Sequence, residues 1–216
     1  MKRFAVILAG CGVYDGAEIH EAVMALWAIK KLGAEYEIFA PDKDQHHVVN
    51  HLTGKEEQGK RNVLAESARI ARGKIRPLKE LDALKFDALL MPGGFGVAKN
   101  LCDFAFKGAD CHVDPQVAKA IKDFHDCKKP VGAMCISPVI LAKLFPGSTV
   151  TIGSDAGTAA AIEKMGSHHI VRTHGELTID RTHLLFTTPC YMLDSNILQI
   201  AEGAENIVGE MIKVMK

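Results

Sequence analysis

Pro130-Val131-Gly132-Ala133-Met134-Cys135-Ile136-Ser137-Pro138 decides the reading of this chain. A short apolar run ends at a cysteine, and a helix-compatible segment follows at once. Pro138 falls in its first turn, where a missing N–H costs nothing. That is the pattern of a nucleophile elbow, in which a strand stops, the chain turns sharply and the side chain stands at the mouth of a helix. Gly132 and Ala133 are small enough to keep such a turn uncrowded. Unpaired N–H groups and the positive end of the helix dipole favour thiolate over thiol, so a depressed Cys135 pKa is expected. The plainer alternative is a buried structural cysteine at the end of a core strand, the common fate of a free thiol.

Outward from the elbow, apolar runs alternate with helical patterns. Strands are expected over residues 2–9, 36–40, 86–91, 131–134, 149–152, 169–173, 177–180 and 184–187, with a short extra one at 48–49. Helices are expected over 17–32, 62–71, 115–127 and 195–214. In the first helix Ile19, Val23, Leu26, Trp27 and Ile29 supply the apolar positions. Strands alternating with helices predict an α/β fold with a mostly parallel sheet covered on both faces. No linker rich in Pro, Ser or like charges divides the 216 residues, so one domain over 1–216 is expected.

The charge balance, 26 basic against 26 acidic residues, advertises neither nucleic acid nor an anionic membrane. No apolar run approaches the roughly 18 residues of a membrane span. Asp15, Glu18 and Glu21 interrupt the first apolar stretch too early for a signal peptide. None of Cys11, Cys102, Cys111, Cys127, Cys135 and Cys190 is spaced as C-x-x-C, and thiols in a reducing, cytoplasmic setting are expected. The pairs His46-His47 and His168-His169 lack the spacing of a zinc site and read as solvated loops. No metal and no cofactor is expected.

In an open α/β sheet, sites form at the carboxyl ends of strands. Three such ends carry chemistry here. The first leads into Asp15-Gly16-Ala17-Glu18-Ile19-His20-Glu21, with Glu18 and Glu21 on one helix face. The third core strand leads into Pro92-Gly93-Gly94-Phe95-Gly96, and the next delivers Cys135. Together they offer a nucleophile, a carboxylate and an oxyanion hole from the amides of Gly94 and Ile136. Each part has a bland reading: first-turn glutamates often only complement the dipole, and Gly-Gly is often only a turn. Gly10-Cys11-Gly12 is no dinucleotide loop, because Asp15 would repel a pyrophosphate.

At these residues the sequence resembles the class I glutamine amidotransferase-like superfamily, in the branch of the PfpI proteins and the parkinsonism-associated deglycase. Ile7-Leu8-Ala9-Gly10-Cys11-Gly12-Val13-Tyr14-Asp15-Gly16-Ala17-Glu18-Ile19-His20-Glu21-Ala22, Pro92-Gly93-Gly94-Phe95-Gly96-Val97-Ala98-Lys99-Asn100-Leu101 and Thr188-Pro189-Cys190-Tyr191-Met192-Leu193 are similar to its ElbB-like subgroup, the "enhancing lycopene biosynthesis" or isoprenoid biosynthesis proteins. The resemblance implies a flavodoxin-like three-layer sandwich, a homodimer, and a reactive Cys135. It places Glu21 against the sulfur, with Glu18 second. It also implies a small aldehyde substrate: relatives are described as cofactor-independent glyoxalases that turn methylglyoxal into lactate, and as protein deglycases.

One departure stands out. The deglycase branch carries a histidine after a Val-Thr-Thr strand, whereas here Val150-Thr151-Ile152 runs into Gly153-Ser154-Asp155. His20 is the nearest candidate for the missing base, although adjacent helical residues point about 100° apart. Asn100 is a further possible auxiliary. Two rival readings follow. His174-Gly175-Glu176 looks like the triplet of a glutaminase triad, but it falls in an expected hairpin turn too soon after Cys135. An elbow thiolate without its histidine could instead serve a non-catalytic, redox-sensing protein. Between the two glutamates, Glu21 lies a turn deeper and is expected to be buried behind Tyr14 and the Pro92-Gly93-Gly94 turn, protonated, and donating to the sulfur. On that reading Glu21→Gln keeps the thiolate and loses only proton transfer.

Overall fold

Phe4, Ala5, Val6 and Ile7 are wholly buried, and the strand they form sits in the middle of the sheet, where both faces are covered. In the computed structural model, which describes residues 1–215, the chain runs β1 (Arg3–Ile7), α1 (Ile19–Lys31), β2 (Glu35–Ala40), the short pair β3 (Val49–Asn50) and β4 (Lys55–Glu56), α2 (Val63–Ile70), β5 (Arg76–Pro77) and β6 (Ala88–Met91). It continues through a π-helical turn (Val97–Leu101), α3 (Phe104–Lys107), α4 (Pro115–Asp126), β7 (Val131–Met134) and α5 (Pro138–Leu144). The last part holds β8 (Thr149–Val150), α6 (Ala156–Lys164), β9 (His168–His169), β10 (Thr178–Asp180), β11 (Leu185–Thr188) and α7 (Ile197–Val214).

Seven strands form one sheet in the order β10-β11-β7-β6-β1-β2-β5. Every pairing is parallel except the β10–β11 edge. This is the flavodoxin-like α/β architecture expected, and it brings the carboxyl ends of β1, β6, β7 and β11 side by side. On β7 the register explains Gly132: a Cβ there would lie 2.6 Å from Met211 Sδ on α7. Gly132 therefore lets α7 sit close on the strand rather than easing the turn beyond it.

The second half departs from expectation in three places. β9 is only two residues long and pairs with β8 away from the main sheet, so no hairpin joins 169–173 to 177–180. Thr178–Asp180 pairs instead with Leu185–Thr188. The helix α6, capped by Asp155 accepting from the Thr158 amide at 2.7 Å, was not anticipated. Its run of alanine and glycine has no strong apolar periodicity to announce it.

In α1 the buried residues are Glu21, Ala22, Ala25, Leu26, Ala28 and Ile29, and α7 packs alongside, tied to α1 by the Lys31–Glu205 ion pair. Ile19, Val23 and Trp27, expected in the core, stand about 42–43% exposed as one stripe at helical spacing.

Candidate active site

The elbow forms as β7 ends. Cys135 adopts φ +60°, a left-handed conformation that a non-glycine residue holds only when its surroundings insist. Three bonds insist: the Cys135 amide donates to Thr188 O (2.9 Å), the Ser137 amide to Met134 O (3.0 Å), and Ser137 Oγ to Pro92 O (2.7 Å). The last ties the elbow to the end of β6. Pro138 then opens α5.

Glu21 reaches the same point from α1. Its carboxyl is fully buried; Oε2 accepts from the Gly93 amide at 2.8 Å and Oε1 from the Tyr191 amide at 3.1 Å, and the group is hydrogen-bonded to the Cys135 side chain. Burial, then the Glu18 carboxylate, push Glu21 up to about 7, against the pull of its amide and thiol partners. Burial and the neighbouring Glu21 carboxylate push the Cys135 thiol well up as well, while the amides of Gly94 and Ile136 donate to its sulfur and pull the other way. The depressed thiol pKa expected from the helix N-terminus is thus not found: desolvation outweighs the dipole of a seven-residue helix. The hydrogen bond between them lowers Glu21 and raises Cys135, so their shared proton rests on the sulfur, the reverse of the protonated Glu21 donor expected.

Glu18 lies one turn back and caps α1, its Oε2 accepting from the Glu21 amide at 2.7 Å while its own amide donates to Gly93 O at 2.9 Å. Glycine lets the three loops meet. A Cβ on Gly93 would fall 2.3 Å from Cys135 Cβ, and one on Gly94, which holds φ +102°, 2.4 Å from the Glu18 nitrogen.

A cavity of about 390 Å³ opens over the sulfur. Cys135, Ile136, Gly94 and Glu18 line it, with Phe95, Phe104, Tyr191, Met192, Asp155 and Thr158. A larger, open cleft of about 740 Å³ at the β2–β5 edge, beside Arg72 and Arg76, is lined by no cysteine, serine or threonine. Among the described residues no group of three His, Cys, Asp or Glu side chains is placed to hold a metal ion.

Several sequence candidates are not brought to the sulfur. His20 is exposed and bonds through Nδ1 to Tyr191 Oη at 2.8 Å. Asn100 turns inward from the π-helical turn, donating to Ala9 O and Asp15 O and accepting from the His46 amide, so it braces the loop after β1. Tyr14 packs on His51 instead of shielding Glu21, a task that falls to Gly93 and Tyr191. His174 bonds to Ser195 Oγ and does not line the cavity.

Tyr191, Met192 and Asp155 were not singled out as site residues. Tyr191 and Met192 sit in a motif that follows a strand, which was a usable signal. Asp155 stands at the end of the Val150-Thr151-Ile152 segment, where the sequence lacks a histidine, and places a carboxylate at the cavity.

The chain is 46% identical to the rat ES1 protein homolog, mitochondrial, over 98% of this chain and 82% of that protein. It is 45% identical to the human glutamine amidotransferase-like class 1 domain-containing protein 3, mitochondrial, over 98% and 83%. Both names carry "mitochondrial", which does not fit the plain cytoplasmic location expected. Among the described residues no helix is long and apolar enough to cross a membrane. The crystal structure of an isoprenoid biosynthesis protein with an amidotransferase-like domain from Ehrlichia chaffeensis superposes with a TM-score of 0.93 at 35% identity, covering 99% of both chains. Glyoxalase III from Candida albicans shares the fold at a TM-score of 0.64 and 14% identity, over 100% of this chain and 98% of that one. The family model named DJ-1/PfpI matches residues 11–166, a span from the loop before α1 through the elbow to the end of α6, and the chain belongs to that family.

Proposed function

We propose that this protein is a cofactor-independent glyoxalase that converts methylglyoxal, and glyoxal, into lactate and glycolate. The observation that carries the reading is the buried Cys135–Glu21 pair at the floor of a small cavity, with two backbone amides aimed at the sulfur. With the shared proton moved from the sulfur to Glu21, the Cys135 thiolate adds to the aldehyde carbon. The Gly94 and Ile136 amides pass from the sulfur to the new oxyanion, which takes the proton from Glu21. Glu21, now a base, removes the proton on the former aldehyde carbon and returns it to the adjacent carbon, whose oxygen takes up the hemithioacetal hydroxyl proton as the thioester carbonyl forms. Water cleaves the resulting thioester, and methylglyoxal plus water leaves as lactate. Lactate formation by the purified protein without glutathione tests this; no turnover, with Cys135 still oxidised by peroxide, would favour the redox-sensing alternative with its link to isoprenoid biosynthesis.

A pH dependence follows. Below the Glu21 value of about 7 both partners are protonated and no thiolate is available. Activity should therefore fall about tenfold per pH unit on the acid side of 7 and level off above it. A kcat/KM profile flat from pH 5 to 8 would contradict the shared-proton pair.

A homodimer is proposed on the α1 stripe of Ile19, Val23 and Trp27, since exposed apolar side chains in register gain by being covered. Trp27→Glu is expected to shift the sedimentation coefficient from dimer to monomer.

A further inference from the structure

We propose that the Cys135 cavity selects its carbonyl compound by charge, admitting neutral and cationic molecules and turning away anionic ones such as 2-oxo acids, with Asp155 as the deciding residue. The inference rests on the reading of this cavity as the place where Cys135 meets a carbonyl, and it deepens that reading by naming the substrate class. Two carboxylates, Glu18 and Asp155, line the cavity, and no Lys, Arg or His does so among the described residues. The rest of the wall is aromatic and aliphatic, with Phe95, Phe104 and Tyr191 prominent. Such a wall suits an apolar or ammonium substituent and offers an anion no compensating donor charge.

Two basic side chains that touch residues of the cavity wall are engaged elsewhere. Lys99 Nζ donates to Tyr14 O at 2.8 Å and lies 5.7 Å from the centre of the Phe95 ring, on the rim. His20 is held by the Tyr191 hydroxyl. Asp155 is fixed as well as charged. Its carboxylate caps α6, and the Thr158 side chain and amide hold its pKa below the usual carboxylate range. It therefore keeps its negative charge through the whole working pH range. Glu18 adds a second carboxylate, tied to the start of α1. Glu18 is buried and Asp155 exposed to solvent, so the repulsion that Asp155 adds against a carboxylated substrate acts through water and is strongest at low ionic strength.

Charged methanethiosulfonates test this without requiring turnover. The Cys135 thiolate attacks the reagent sulfur, forming a mixed disulfide and releasing methanesulfinate. Rates for the cationic ethylammonium and the anionic ethylsulfonate reagents are measured at Cys135 by peptide mass spectrometry and normalised to 2-mercaptoethanol. The normalised cation-to-anion ratio is expected to be about tenfold at low ionic strength, and to collapse towards one in 1 M salt. Asp155→Asn, which keeps the helix cap, is expected to lower the ratio severalfold. Methylglyoxal should protect Cys135 from labelling where glyoxylate at equal concentration does not. A ratio near one in the wild type, a ratio unmoved by Asp155→Asn, or equal protection by glyoxylate would overturn the proposal. Charge selection without lactate formation would leave it standing and sink the glyoxalase reading, and lactate formation without charge selection would do the reverse.

Discussion

Cys135→Ser is expected to lower kcat/KM for methylglyoxal by at least about 10³-fold while the protein keeps its fold. The loss is large because the reaction needs an atom that is a strong nucleophile once ionised, and a serine hydroxyl in the same buried place has no comparable anion. The fold survives because the elbow is held by its backbone and by Ser137, not by the sulfur. A serine oxygen can accept from the Gly94 and Ile136 amides and donate to Glu21 as the thiol does. The thermal midpoint should move by no more than a few degrees. Lactate formed at the wild-type rate by this variant would remove Cys135 from the chemistry altogether.

Glu21→Ala is expected to cost both activity and stability. The buried Gly93 amide and the part-buried Tyr191 amide lose the acceptors shown at this site, at about 1–3 kcal/mol for the buried one. The penalty should depend on pH. A carboxyl raised from the usual 4.5 to about 7 by folding binds its proton more tightly in the native state. Its protonation therefore stabilises the wild type fully below about 4.5, and this contribution, about 3 kcal/mol at most, is lost as pH rises through 7. Denaturant titrations should show the gap between wild type and Glu21→Ala widest near pH 5 and narrower at pH 8. A gap independent of pH would mean that the Glu21 carboxyl is not raised.

Glu21→Gln was expected on sequence grounds to spare the thiolate, and the structure revises this. Both carboxyl oxygens accept backbone amides. A glutamine has one acceptor oxygen, so its NH₂ must face a second N–H. That variant should lose turnover as Glu21→Ala does and also part of its stability. Comparison of its unfolding free energy with that of Glu21→Ala measures the part.

The alternation of apolar strands with helices, the elbow at Cys135 and the glycine loops at the strand ends were legible in the sequence, because each is a local pattern. A buried strand must be apolar on both faces, and a sharp turn into a helix needs small residues before it and tolerates proline after it. That Cys135, after β7, and Glu21, on the helix that follows β1, meet at the carboxyl end of the sheet, on either side of β6, followed from the topology rule for parallel sheets. What the sequence could not decide depends on which groups are desolvated and where hydrogen bonds close. The thiol pKa is one case: the helix N-terminus argues downward, yet burial beside Glu21 wins. Asn100 is another, since only the π-helical turn, which a period-3.6 pattern does not announce, points its amide at Ala9 and Asp15. Trp27, Val23 and Ile19 have the spacing of a core face, but α1 buries the side that carries Ala22, Ala25, Ala28 and Ile29 and leaves those three outside. Asp155 enters the site for the same kind of reason. Nothing local marks a carboxylate before an alanine-rich helix as part of a cavity, and only the packing of α6 against α5, whose start is the elbow, brings it there.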